Sequence, residues 1–177
     1  MSSSHLIVLT GKAGAGKSTL AQYLAKSHGY RVIKFADVLK DMLRVLGLGE
    51  YEIEGAGKEK PCYLLGGKSP RLAMQTLGTE WGRNTIYSDI WVDAWYRRAN
   101  EALTKFEKVV CDDARFPNEV EAARKLGAVV FEILRPESDH TLNLSPHSSE
   151  SHRLPADVCL VNNGTMRELY ERAERFL

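Results

Sequence analysis

Four apolar residues, Leu6-Ile7-Val8-Leu9, lead directly into Gly11-Lys12-Ala13-Gly14-Ala15-Gly16-Lys17-Ser18, a complete G-x-x-x-x-G-K-[ST] run. This order admits few folds: a strand must deliver the chain into a glycine-rich turn, and a helix must open at Lys17. Glycines at 11, 14 and 16 let the backbone curl so that successive N–H groups face inward, and the positive end of the following helix adds to this anion-binding hollow. A nucleoside triphosphate is the expected occupant, with Gly11, Ala13, Gly14, Ala15, Gly16, Lys17, Ser18 and Thr19 around its phosphates. Lys17 is expected to reach the β- and γ-phosphates, and Ser18 to offer a hydroxyl to Mg²⁺. An ordinary glycine-rich turn is the bland alternative, and the strand-then-helix setting argues against it.

Beyond this loop, apolar runs alternate with helix-period segments, the pattern of βαβ units and a parallel sheet covered on both faces. Strands are expected at about 5–10, 31–35, 108–113, 128–134 and 157–162, with ends uncertain by about two to four residues. Leu20 and Leu24 share one face of the first helix, which ends near Gly29. Asp37 is placed to cap a second helix carrying Leu39, Met42, Leu43 and Leu46. Residues 47–68 contain six glycines and read as a mobile loop. Ser69-Pro70 opens a helix expected to stop at Gly78, which puts Arg71 and Gln75 on one face and Arg83 beyond it on a loop. A longer helix over 88–106 spaces Trp91 and Trp95 four apart, and Thr165 with Glu168 forms a capping box for a last helix bearing Leu169, Ala173 and Phe176.

With 177 residues the chain suits one domain, and a net charge of +1 implies no general attraction to nucleic acid polymers or membranes. Cys62, Cys111 and Cys159 lack paired C-x-x-C spacing, Cys111 and Cys159 sit in apolar strand-like runs, and reduced core thiols are expected. With no export signal and no 18-residue apolar window, a cytoplasmic protein is expected.

A phosphate loop is shared by switches, motors and kinases. Neither the N-K-x-D nor the D-x-x-G string of GTPases occurs, and motors need more domains than this length holds. A small-molecule kinase fits best. The third strand runs into Cys111-Asp112-Asp113-Ala114-Arg115, placing carboxylates at the C-terminal edge of the sheet, where open α/β folds bind ligands. Asp113 or Asp112 suits Mg²⁺ there and Arg115 suits a phosphate, unless the carboxylates merely cap the next helix.

The chain resembles the deoxynucleoside monophosphate kinases of tailed bacteriophages over most of its length. The resemblance is carried by Gly11 to Ser18, Phe35-Ala36-Asp37 with Leu39-Lys40, and above all Pro70-Arg71-Leu72-Ala73-Met74-Gln75-Thr76-Leu77-Gly78-Thr79-Glu80-Trp81-Gly82-Arg83. Asp89-Ile90-Trp91-Val92, Asp113 to Glu119, His147-Ser148-Ser149-Glu150 and Asn162-Asn163-Gly164-Thr165 extend it. It implies a P-loop NTPase of the nucleoside monophosphate kinase type, with a five-stranded parallel sheet in order 2-3-1-4-5. It also implies a core of about 1–36, 107–134 and 156–177, a monophosphate-binding insertion at about 37–106 and a short lid at about 135–155. The implied reaction is ATP plus a deoxynucleoside monophosphate giving ADP and the diphosphate, in the host cytoplasm if the chain is phage-encoded, by a monomer or homodimer.

Within that resemblance Lys17, Arg71, Arg115 and Arg135 are the expected catalytic cations, since phosphoryl transfer needs two anions clamped in line. Asp37, Lys40, Arg71, Gln75, Arg83, Trp91, Asp113 and Arg115 are the expected acceptor contacts, Ser18 and Asp113 the metal ligands, and Asn163 and Gly164 the expected contacts in an Asn162 to Thr165 run that resembles the adenine loop, unless it is only a turn and helix cap. Gln75 suits a base edge, and Trp91 suits the base or the sugar near C2′, while Trp95 reads as core. Arg135 or Arg153 is expected to reach the phosphates from the lid. His140, His147 and His152 are spaced unlike zinc ligands, and the role of His147 with Glu150 stays open. Two other readings remain: a dephospho-coenzyme A or other metabolite kinase, and an ATP-binding regulatory module.

Overall fold

The computed structural model describes residues 4–136 and 154–177. The chain divides into two compact units, Met1–Lys34 with Tyr96–Leu177, and Phe35–Trp95.

The first unit is a parallel α/β sheet. Strands β1 (Leu6–Thr10), β2 (Tyr30–Val32), β3 (Lys108–Cys111), β4 (Val129–Leu134) and β5 (Val158–Val161) lie in order β2-β3-β1-β4-β5, as the resemblance implied. Every residue of β1 is buried, because a central strand in a two-faced sheet has no polar side. Its Val8 lies opposite Cys111 on one flank and Val130 on the other, so β1 delivers the chain to the middle of the C-terminal edge. Helix α1 (Lys17–His28) buries Leu20, Ala21 and Leu24. They join Ile7, Leu9, Phe131, Ile133, Leu160 and Leu169 in one core.

Helix α7 (Met166–Glu174) begins at the expected capping box, with the Thr165 hydroxyl accepting from Glu168 N–H. It buries Leu169 and Ala173, whereas Phe176 lies beyond its end and is exposed. Asp157 fastens the start of β5: its Oδ2 accepts the Val130 N–H at 2.8 Å, and Arg124 pairs with its Oδ1 at 2.9 Å. The second strand is shorter and earlier than expected, at residues 30–32.

In the second unit, helix α2 (Asp37–Val45) is capped by Ala36, not Asp37. Asp37 sits one residue inside, where its charge still meets the positive helix end. Residues 47–68, expected to be a mobile loop, are structured: they include the short helix α3 (Glu50–Ile53) and a 3-10 turn over Tyr63–Leu65. Leu48 and Ile53 are buried with Leu43 in a small core, against which Leu65, Met74 and Leu77 pack. Two apolar anchors are enough to order a segment whose glycine content alone reads as loop.

Helix α4 (Pro70–Gln75) starts as expected, with Ser69 Oγ accepting from Leu72 N–H. Gly78 does not end it. The chain passes into a π-helical stretch over Thr76–Ile86, so Arg83 is helical and not on a loop. The cause is tertiary: the Trp91 indole N–H donates to Gly78 O at 2.7 Å, and Gly82 lies so close that a Cβ there would fall 2.6 Å from the Trp91 ring. Trp91 stands on helix α5 (Ile90–Thr104), which carries the boundary between the units. Trp95, also on α5, is fully buried and stacks on Phe35 with ring centroids 4.4 Å apart.

Candidate functional site

In the first unit the site grows from the end of β1. Gly11 has φ +126°, and a Cβ there would lie 2.3 Å from the Ile133 carbonyl oxygen of β4. Only a residue without a side chain lets the loop leave the sheet at this point. Ala15 N–H closes a turn on Lys12 O at 3.2 Å, and Leu20 N–H bonds Gly16 O at 2.9 Å as α1 begins. The Lys17 ammonium folds over the loop and donates to Gly11 O at 2.5 Å and Lys12 O at 2.9 Å. Ser18 and Thr19 are exposed on the first turn.

Neighbouring strands add charge to this edge. At the end of β4, Arg135 Nη1 reaches Gly14 O at 3.4 Å, which ties an expected cation to the phosphate loop. After β3, Asp112 is only 4% exposed. Its Oδ1 lies 3.3 Å from Lys34 Nζ as an ion pair, yet it is the buried side-chain oxygen that receives no hydrogen bond among the described residues. Asp113 is less buried, and its Oδ1 accepts from Cys111 Sγ at 3.3 Å. Burial, and then the Asp113 charge, push the Cys111 thiol well above the usual thiol range.

Neither carboxylate caps the next helix, α6 (Pro117–Lys125), whose N-cap is Phe116. That task falls to Glu119, buried, whose Oε2 accepts from Arg115 N–H at 2.7 Å and Phe116 N–H at 3.1 Å. Glu119 braces the turn that presents Arg115, itself exposed. Pro at the first helical position and Glu at the third made that brace readable, although it was not singled out.

At the end of the last strand, the loop expected to meet adenine opens with a residue whose side chain turns to the phosphate loop, a contact the sequence reading did not include. Asn162, 4% exposed, donates from Nδ2 to Ala15 O at 2.8 Å. The expected pair Asn163 and Gly164 is exposed beside it, and Arg172 holds Asn163 Oδ1 at 3.0 Å.

In the second unit Arg71 and Gln75 are exposed one turn apart on α4. Arg71 Nε pairs with Glu59 at 2.7 Å, an exposed contact of less than about 1 kcal/mol that a phosphate can displace. Arg83 Nη1 donates to Ser88 O at 3.2 Å. Lys40 is buried against Glu54 at 2.6 Å, so the structure uses its ammonium inside the unit. Trp91 is 3% exposed, with its N–H on Gly78, and Asp37 is half-buried on α2. Arg153, His140, His147, His152 and Glu150 lie outside the described residues. Among the described residues no helix is long and apolar enough to cross a membrane.

The family model for deoxynucleotide monophosphate kinase matches residues 68–173, and an AAA-domain model matches 7–65. The protein assigned as a deoxynucleotide monophosphate kinase in Acanthamoeba polyphaga mimivirus is 32% identical over 186 aligned positions, covering 94% of this chain and 93% of that one. The deoxynucleotide monophosphate kinase of Escherichia phage RB69 is 31% identical over 113 positions, 62% of this chain and 45% of its own. Among solved structures, the sugar kinase of Janibacter sp. HTCC2649 superposes with a TM-score of 0.54 at 14% identity, covering 98% of this chain and 94% of that one. TT1252 of Thermus thermophilus does so with a TM-score of 0.53 at 21% identity, covering 96% and 94%. The structural likenesses establish the fold alone; the family model and the viral relative establish that this chain belongs to the deoxynucleotide monophosphate kinase family.

Proposed function

We propose that the chain transfers the γ-phosphoryl group of ATP to a deoxynucleoside monophosphate, giving ADP and the deoxynucleoside diphosphate. The observation that carries this reading is a phosphate loop with Lys17 folded over it, in a chain whose residues 68–173 match the family. An oxygen of the acceptor phosphate bonds to the γ-phosphorus while the bond from that phosphorus to the β–γ bridging oxygen breaks. No side chain need supply a nucleophile, so the protein's work is positioning and charge.

Lys17 exchanges the carbonyls of Gly11 and Lys12 for phosphate oxygens, and the loop N–H groups hold the rest of the triphosphate tail. Arg135, already at the loop, and Arg115, on its Glu119-braced turn, offset charge on the transferring group. In the second unit Arg71 and Arg83 hold the acceptor phosphate and Gln75 meets the base edge. The buried Trp91 acts on that face by shaping the π-helical stretch between Gln75 and Arg83.

The donor set fits Mg²⁺. The exposed Ser18 hydroxyl and the buried Asp112 carboxylate, with an oxygen lacking a hydrogen bond, are hard oxygen ligands of the kind a magnesium nucleotide uses. Burial at the strand end favours Asp112 over the expected Asp113. When bound, Mg²⁺ neutralises charge on the β- and γ-phosphates. Among the described residues no three His, Cys, Asp or Glu side chains gather into a closed metal cage, and a cation shared with phosphates requires none.

ADP release, measured with a panel of deoxynucleoside and ribonucleoside monophosphates and dephospho-coenzyme A, tests the reading. Release that depends on a deoxynucleoside monophosphate supports it. Release driven by dephospho-coenzyme A, or slow hydrolysis indifferent to every acceptor, overturns it.

A further inference from the structure

Asn162 stands where β5 ends, 147 residues along the chain from its hydrogen-bond partner Ala15. Its backbone N–H donates to Leu134 O at 2.6 Å, so the side chain grows from a point fixed to β4. The next residue is held from α7, where Arg172 donates to both Asn163 Oδ1 and Val161 O. The amide then meets the phosphate loop twice. Nδ2 bonds the Ala15 carbonyl, and the same nitrogen lies 2.8 Å from where a Cβ on Gly16 would fall, with Leu169 Cδ2 3.3 Å from that point. The bond is buried, so water does not compete for it.

A trans peptide points its carbonyl and its N–H in opposite directions. Holding the Ala15 carbonyl toward Asn162 therefore turns the Gly16 N–H away from β5 and α7. We propose that Asn162 is a positioning residue for ATP: it fixes the Ala15–Gly16 peptide so that the Gly16 N–H stays aimed at the triphosphate. Asn162 touches no reacting atom. It makes the last strand a support for the first loop, and that support sets affinity for the donor without changing affinity for the acceptor. This inference rests on the reading of the loop as an ATP site.

Two substitutions test it. Asn162→Ala removes the donor, and ATP affinity is expected to fall about tenfold, the loss of one buried hydrogen bond, while KM for the monophosphate stays at the wild-type value. Asn162→Asp keeps the shape but, when ionised, faces the Ala15 carbonyl with a repelling oxygen; protonated, it donates again. Burial raises such a carboxyl above its usual range, so the ATP defect of Asn162→Asp is expected to be large near about pH 8 and to shrink near about pH 6. Each value is taken relative to wild type at the same pH, with the charged neighbours Lys17 on α1, Arg135 after β4 and Glu168 and Arg172 on α7 present in both proteins.

Direct titration with ATP separates the two levels of the argument. Wild-type protein that does not bind ATP defeats the loop reading itself. If wild type binds, equal ATP affinity in Asn162→Ala, or a pH-independent defect in Asn162→Asp, defeats the positioning role alone. Should Asn162→Ala fail to fold, the pH profile of Asn162→Asp still decides.

Discussion

Lys17 holds two backbone carbonyls of its own loop, and those bonds are replaceable by phosphate oxygens of greater charge. Lys17→Ala should therefore abolish dNMP-dependent ADP release while leaving the thermal unfolding midpoint within a few degrees of wild type, as expected for a partly exposed side chain. Asp112→Asn removes the buried charge beside Lys34, and the Mg²⁺ concentration needed for half-maximal rate should rise about tenfold or more. An unchanged Mg²⁺ requirement would return the role to Asp113. The phosphate loop was legible because its chemistry is local: eight consecutive residues carry glycines, lysine and hydroxyl in fixed order. Asn162 and Lys34 were not, since their partners Ala15 and Asp112 are distant in the chain and only the sheet order brings them together. Nor was the burial of Asp112 on which its proposed role rests, which depends on how the strand end is covered.

At the scale of the element, the π-helical stretch shows how a single side chain overrules a local stop signal. Gly78 and Gly82 both lie against Trp91, one by its carbonyl and the other by its missing side chain. Gly82→Ala should lower stability by about 1–3 kcal/mol through overpacking. Trp91→Phe should cost about 1–3 kcal/mol by removing the buried indole N–H bond to Gly78 O. Denaturant titration checks both, and unchanged midpoints would show that the indole does not shape the stretch. Helix starts were readable from Ser69-Pro70 and Thr165 because caps act within three residues. The end at Gly78 was misread because a partner 13 residues away supplies the bond that local rules assign to solvent.

Across the whole molecule the cysteines report folding. Cys111 is fully buried, but Cys159, expected in the core from its apolar run, is exposed because it falls on the open face of β5. A thiol whose folded pKa is raised favours its neutral form, so a thiol reagent should label Cys159 quickly and Cys111 only on unfolding. The same shift has a pH consequence. The unfolded thiol ionises near about pH 8.5 while the folded one does not, so this contribution to stability is present below that pH and is lost as pH rises above it. Denaturation midpoints of wild type and Cys111→Ser at neutral and alkaline pH measure the difference. Fold class was open to sequence reading because βα alternation is global and redundant, whereas the strand order came from the family resemblance, since alternation alone does not order strands. The ordered segment at 47–68 was not, because two buried side chains among many glycines leave little periodicity to detect.

The stretch Phe35–Trp95 enters the chain after β2 and returns before β3, two strands that are paired neighbours in the sheet. Lengthening, trimming or exchanging it therefore alters no register between strands. On the proposed assignment of Arg71, Gln75 and Arg83 to the acceptor, preference for one acceptor or another can be revised as a plug-in trait, leaving the sheet that carries the phosphate loop untouched.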